Sequence, residues 1–441
     1  MLRKLISRVL LPAVLLTAGL SAVAQDGAYS GYTPYSIYGI GDLFNPGSAY
    51  SQTMGGVGVA TRNPKYINLL NPASVTARDS LSFMMDFSLY ENNKYMLQDG
   101  KLGVNNLFNL RDIVISFPLY RSSAMMLGVM PYSTTGYKYS SYEQYGQDLI
   151  AETQDISSVA SGQGGVYKVF AAAGVTFWKR LSLGVEGIHY FGNIKKQFYP
   201  MTFTSSSYSS IESGYRLFLS GNTARVGIQY EQPVGPYVIG AGATYTLGTD
   251  MKGYVTDYRF SKGVTTDTLR YVSDTLGSRA APLRFASELA VGVSLRYGQR
   301  WRAEVDYTMS DWSRSGFDAA SGFAMVGEHS AFSATKSESI RAGFEIIPNA
   351  NDIRYFYRRW AYRVGFYREK AYYLLDGNEI QSIGLTFGAT IPVVRLSNGL
   401  TVGMEIGRRG TRAAGGISEN FVNFSLGVNM YDIWFQKTRY Q

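Results

Sequence analysis

Side chains able to do chemistry are sparse in this sequence. It holds two histidines, His189 and His329, and no cysteine among 441 residues. Thiolate nucleophiles, thiolate metal sites and disulfides are therefore excluded. A Ser-His-Asp triad or an imidazole metal site would have to be built on two histidines that fall in or near separate long-loop regions, and neither has a recognisable triad context. The chain reads as a protein that is not an enzyme, with no metal and no cofactor. Glycine runs offer a second chemistry: Tyr38-Gly39-Ile40-Gly41-Asp42, then Met54-Gly55-Gly56-Val57-Gly58-Val59-Ala60. As phosphate-binding loops they fail, because no strand-to-helix unit follows and no Lys-Ser or Lys-Thr closes the pattern. A third constellation is charged. Arg302, Glu304 and Asp306 share one face of a strand, and Arg341 and Glu345 share one face of another. Arg302 and Arg341 are candidate lumen charges able to meet an acidic head group, but the carboxylates beside them favour a structural ion-pair network.

The elements that position these residues begin with a leader. Arg3, Lys4 and Arg8 precede an apolar run, Val9 to Leu20, and Ala22-Val23-Ala24 forms a small-residue cleavage box. Residues 1–24 read as a secretory signal peptide, too short to span a bilayer. No cysteine follows the box to carry a lipid. The formal net charge of +9 shrinks when those three cations leave, and what remains is too scattered to imply nucleic acid. Charged residues are only 17%, while Gly (48) and Tyr (35) abound, which favours repeated β-structure over disorder.

No later segment is apolar enough for a transmembrane helix, and alternation appears instead. Val422, Phe424, Leu426, Val428 and Met430 share one face, and Asn423, Ser425, Gly427 and Asn429 the other. The same dyad runs through Trp301 to Tyr307, Ile340 to Ile346 and Ile383 to Ile391. A water-soluble sandwich would alternate too, so periodicity alone does not decide. Fourteen strands are expected, beginning near Leu81, Arg111, Ala124, Tyr167, Leu181, Tyr215, Tyr237, Leu283, Arg300, Ser337, Trp360, Ile380, Gly399 and Glu419. Short turns alternate with long loops at 91–110, 136–166, 192–214, 249–282 and 313–336, and Pro348 to Arg359 is intermediate. An even count with this asymmetry predicts an all-β fold, a 14-stranded antiparallel transmembrane β-barrel in the outer membrane of a Gram-negative bacterium, with both termini periplasmic. In hydrocarbon every backbone group needs a partner, so the first strand must pair with the last. Trp178, Tyr190, Trp301, Trp312, Trp360, Tyr431 and Trp434 are expected in the interfacial girdles.

Residues 25–80 precede the barrel, expected over 81–441, and are too glycine-rich for a helix. They fit an N-terminal plug (hatch) folded inside the lumen. Gly39, Gly41, Gly55, Gly56, Gly58 and the Asn71-Pro72-Ala73 element carry a resemblance: this run is similar to the N-terminal hatch of the FadL-type long-chain fatty acid transporters. Gly292-Val293-Ser294-Leu295-Arg296-Tyr297, a short turn, Trp301, Asp306-Tyr307 and Trp312-Ser313 also resemble that family's paired strands closing on a tryptophan.

The resemblance implies uptake of a hydrophobic small-molecule ligand, with outer-membrane lipids as surroundings. It implies capture among extracellular loops and sideways exit through a gap at a kink in the third strand. Here that strand, expected at Ala124 to Thr135, holds Gly128 and Pro131 before Gly136. Proline donates no ladder hydrogen bond, so Pro131 is a candidate for the gap or simply the end of the strand. Relatives of such barrels also act in secretion or surface-attachment systems. A docking platform with a secretion-system protein partner is therefore the alternative, suited by the long loops and by Arg408-Arg409-Gly410-Thr411-Arg412.

Overall fold

Val293 is 59% exposed and Val305 54%, whereas Glu304 and Asp306 beside them are each 2% exposed. This inverted distribution separates the two folds that alternation left open: a sandwich in water would bury the valines and expose the carboxylates. The computed structural model describes residues 32–433, apart from 79–80, 99, 121, 146–153, 204–207, 263–266, 277–282, 318–331, 395–397 and 411–415. The expected leader at 1–24, His329 and Trp434 lie outside the described residues.

The wall is a closed antiparallel ring of 14 strands. In chain order these are β1 (Ser82–Gln98), β2 (Lys101–Tyr120), β3 (Ser123–Tyr145), β4 (Gln154–Phe177), β5 (Leu181–Phe203) and β6 (Tyr208–Val234). β7 (Tyr237–Thr246, resuming at Lys252–Lys262) and β8 (Asp267–Leu276, resuming at Glu288–Tyr297) are each interrupted once. β9 (Trp301–Asp311), β10 (Phe332–Ala334 and Lys336–Ile346), β11 (Ala361–Leu375), β12 (Asn378–Val394), β13 (Asn398–Gly410) and β14 (Ser418–Ile433) complete it. β1 pairs with β14 from Ser82↔Ile433 to Leu97↔Ser418, so first meets last as the hydrocarbon demands. Apolar outside, polar within and without a free end, the ring is a membrane-spanning barrel of the outer-membrane type.

Several expected loops are strand. Residues 91–110, 136–166 and 192–214 are largely the continuations of β1 to β6, which run on as paired hairpins past the apolar band. Once a strand leaves lipid its outer face no longer needs to be apolar, and the alternation that marks it fades. Three aromatic assignments also change: Tyr431 stands opposite the buried Met84 and packs against the inner cluster, and two more rings turn inward. Trp312 and Tyr190 are 1% and 5% exposed and face inward, packing on Phe285 at 5.8 and 5.3 Å. Trp178 stands outside at 83% exposure in the β4–β5 turn, where it and Lys179 take φ of 47° and 60°, the left-handed pair a tight hairpin uses.

Candidate functional site: the plugged lumen and the third-strand seam

Residues 32–78 lie inside the ring, and the wall makes room for their backbone with glycine. Inward-facing glycines of neighbouring strands stand opposite each other: Gly174, Gly184 and Gly227; Gly242 and Gly292; Gly343 and Gly365; Gly388 and Gly403. A Cβ on Gly184 would lie 2.3 Å from the Pro72 carbonyl carbon, one on Gly242 2.1 Å from the Val59 oxygen, and one on Gly365 2.1 Å from the Gly55 nitrogen. The plug thus lies main chain against main chain in slots that only glycine leaves open. On its own side, Gly55 and Gly41 have φ of 76° and 93°, and a Cβ on Gly41 would lie 2.4 Å from the Thr134 oxygen.

Contrary to the expectation from glycine content, the plug holds one helical turn, Ala49–Gln52, besides the 3-10 turns Pro34–Ile37 and Pro72–Ala77, and wall side chains satisfy peptide groups that these leave unpaired. Asp306 Oδ2 accepts from the Gly58 and Val59 N–H groups at 2.7 and 3.0 Å, and Glu304 accepts from Ala60 N–H at 2.8 Å and from the Thr61 hydroxyl. Gln229 donates to the Val59 and Thr61 oxygens at 2.9 and 3.1 Å. Arg225, paired with Glu186, donates to Leu69 O at 2.8 Å, and Lys196 to Ile37 O at 2.6 Å. Asn71 caps the 3-10 turn Pro72–Ala77 by accepting from Ala73 N–H at 3.0 Å, while its amide donates to Val59 O at 2.8 Å and to Ile228 O of the wall at 3.1 Å. Asn71, Pro72 and Ala73 are therefore the joint between plug and wall.

Both candidate lumen cations face inward and are spent on the plug. Arg341 donates to Gly55 O at 3.1 Å and to Glu369 at 2.7 Å. Arg302 donates to the Tyr50 hydroxyl and approaches Glu345 at 3.5 Å. Glu345 also accepts from Arg363 at 2.6 Å and from Tyr50 at 3.1 Å. The Arg363 guanidinium lies 4.0 Å from the Tyr50 ring centre, and Tyr66 stacks on the same ring at 4.1 Å. Burial pushes the Tyr50 hydroxyl up to about 12, so it stays protonated and can donate to Glu345. The sequence reading missed Arg363, Arg225 and Gln229, although each lies in the same inward phase as Arg302.

The candidate gate residues separate. Gly128 lies within the continuous β2–β3–β4 ladder, opposite Val114 and Phe170. The β2–β3 ladder ends at Ile113↔Val129. Just beyond, Pro131 precedes a bulge at Tyr132, and β3 keeps its β4 partner as far as Tyr145↔Gln154. Its other edge turns to the plug. The two-residue strand Asp42–Leu43 pairs with Thr134 and Ser133, Phe44 N–H donates to Tyr132 O at 2.9 Å, and Gly136 O accepts from Thr33 N–H at 2.8 Å. Pro131 thus does not end the strand; it marks where β3 exchanges β2 for the plug. This seam has two edges, and residues 33–44 line one.

Beside it is a cavity of about 130 Å³ lined by Asp42, Phe44, Lys94, Arg111, Glu369, Arg409 and Glu419 among others. Burial acts to raise the Asp42 carboxyl, but Arg409 and Lys94 overcome this and hold it below the usual carboxylate range. Toward the extracellular end Tyr38, Phe285, Trp312, Phe332, Tyr372 and Tyr373 fill the lumen as an aromatic cluster, with Trp312 and Tyr372 at 5.1 Å. Of the two histidines, His189 stands on the outer wall, its Nδ1 2.7 Å from Asn222 Oδ1.

Fold and lumen together define an outer-membrane β-barrel with the FadL-type fold, its lumen filled by residues 32–78. The BamG family profile matches residues 1–441, and the chain belongs to that family. A sequence search of curated proteins finds no match. Among solved structures, a Pseudomonas aeruginosa FadL homologue aligns at a TM-score of 0.56 and 12% identity, covering 89% of this chain and 100% of that one. The Pseudomonas putida toluene transporter TodX aligns at 0.55 and 13%, covering 91% and 100%. The Ralstonia pickettii toluene transporter TbuX aligns at 0.51 and 15%, covering 90% and 99%. At these identities the likeness is one of fold.

Proposed function

We propose that this barrel takes up hydrophobic or amphipathic small molecules, long-chain fatty acid-like in chemistry, which leave sideways through the β2–β3 seam with residues 42–44 as its movable seal. One observation carries the reading: the wall ladder stops at Ile113↔Val129, and two paired plug residues, not a wall strand, face β3 above it. An acyl chain gains about 0.8 kcal/mol per methylene removed from water, so a lateral path into lipid suits it where a polar pore would not. Met54–Gly55, Val59–Ala60 and Pro72–Ala73 are strapped in glycine slots, whereas Asp42–Leu43 meets β3 through two paired residues and the Asp42 ion pair with Arg409, which makes it the part that yields. With no native cysteine, a Leu43→Cys/Ser133→Cys pair can lock it. Cells carrying the oxidised pair are expected to lose uptake of labelled oleate and toluene and to regain it with reductant; equal uptake in both states would remove the seam from the path. Pro131→Ala, which returns an N–H to the exchange point, is expected to slow uptake by a smaller factor in the same assay.

A second reading, a docking platform in secretion or surface attachment, is favoured by the charges in the cavity at the seam, which suit a hydrocarbon poorly. No uptake in either redox state, from a folded barrel carrying no co-purified amphiphile, would support it.

A further inference from the structure

The turns at the periplasmic end are short except one, the β10–β11 connection over residues 347–360. It is built, not slack. Asn349 N–H donates to Arg358 O at 2.9 Å, and Asp352 Oδ1 accepts from Tyr355 and Arg354 N–H at 2.7 and 2.9 Å. Those backbone donors, with Arg358 at 3.4 Å, hold the Asp352 carboxyl below its usual range. A 3-10 turn, Phe356–Arg359, follows, and Tyr362 of β11 donates to Tyr357 O at 3.0 Å. On this ordered loop Ile353 is completely exposed, with Phe356 at 45% and Tyr357 at 53%. The three side chains project from one hydrogen-bonded loop, with the Arg359 guanidinium 4.7 Å from the Phe356 ring centre.

Cations flank these side chains. Asp352 is the loop's one carboxylate and is already engaged by Arg358. Arg300, Arg354, Arg359 and the plug's Lys65 pair with no carboxylate among the described residues. Arg359 and Lys65 line a mouth cavity of about 150 Å³, shared with Arg62, Arg296, Arg302 and Glu345; Arg62 and Arg296 pair with Glu231, and Arg302 with Glu345. The Nε atoms of Arg302 and Arg359 are buried and meet no acceptor among the described residues. Lipid surrounds the outer wall, whereas Lys65 belongs to the plug inside the ring. An occupant reaching both Lys65 and Ile353 must therefore approach from the periplasm.

We propose that this periplasmic face is a docking surface for an acidic segment of a periplasmic protein, with Ile353, Phe356 and Tyr357 seated in the partner and its carboxylates on Arg300, Arg354, Arg359 and Lys65. The surface is separate from the seam, so it stands whether or not the barrel transports. The test uses the full-length protein in phosphatidylcholine nanodiscs and a short fluorescent peptide alternating Glu with Leu, against its Gln-Leu counterpart. Binding of the acidic peptide is expected to fall with salt, and to weaken about tenfold or more in Ile353→Ala/Tyr357→Ala and in Arg354→Gln/Arg359→Gln. Unchanged melting of these loop variants excludes misfolding as the cause. Equal binding of both peptides, or equal binding by all variants, would overturn the proposal. So would phosphatidylglycerol in the nanodiscs displacing the acidic peptide completely, since that result makes the surface a lipid head-group site.

Discussion

Gly365→Val is expected to lift the plug from the wall while leaving the barrel closed. Even the Cβ would stand 2.1 Å from the Gly55 nitrogen and 2.3 Å from the Met54 carbonyl carbon, and both are main chain, which cannot rotate aside. Overpacking a core side chain costs about 1–3 kcal/mol, and a clash that must move backbone belongs at or above the top of that range. The wall has little reason to open, because its ladder on both sides of Gly365 runs unbroken through Gly343 and Thr386. Strain should therefore appear as local release of the plug. A cysteine at Ala49, 1% exposed in the wild-type plug, reports it. In the Gly365→Val background its maleimide labelling is expected to speed up by more than about tenfold, the factor corresponding to 1.4 kcal/mol of local opening. Gly187→Val is the control, since nothing lies within 4 Å of a Cβ there. Labelling no faster than in the control would mean that the slots do not hold the plug.

Why the slots escaped the sequence while the strands did not follows from what each depends on. Strand starts near Leu181, Tyr237 and Arg300 were legible because a period of two is written locally, and the ring closure followed from the chemistry of lipid. Gly343 and Gly365 were each visible as inward residues, but a slot exists only when they face each other across β10 and β11, and register is not local. The same limit hid the carboxylates' role. Glu304 and Asp306 read as ion-pair partners, whereas they accept from four plug groups whose position no spacing encodes. Trp312 and Tyr190 were misplaced for another reason: near a rim an aromatic ring suits the interface and an aromatic lumen equally. The element Asn71-Pro72-Ala73 entered the sequence reading through its resemblance to the FadL-type hatch, and its cap, with Asn71 bonding two residues ahead, is visible only in the structure.

Arg363→Met is expected to be the most damaging change at the ion-pair hub. The Arg363 side chain has no exposure; its Nε donates to Glu345 at 2.6 Å and its Nη1 to Thr390 at 2.7 Å and Thr53 at 3.3 Å. Removing one partner of a buried pair costs about 3–5 kcal/mol, largely because the other charge is left uncompensated. Glu345 would keep Arg302 at 3.5 Å, and the mouth cavity it lines with Arg302 admits water, so the cost belongs in the lower half of that range. Adding Glu345→Gln removes the half-compensated carboxylate but also Arg302's partner, so the double variant is expected to recover only part of the loss, through a coupling of about 1–3 kcal/mol. Detergent-solubilised stability and labelling at Ala49→Cys should move together, because Arg363 touches the plug through Thr53 and the Tyr50 ring as well as the wall. If Arg363→Met cost less than about 1 kcal/mol, or if the two single changes were additive, the hub would be a solvated charge cluster and the glycine slots alone would fix the plug.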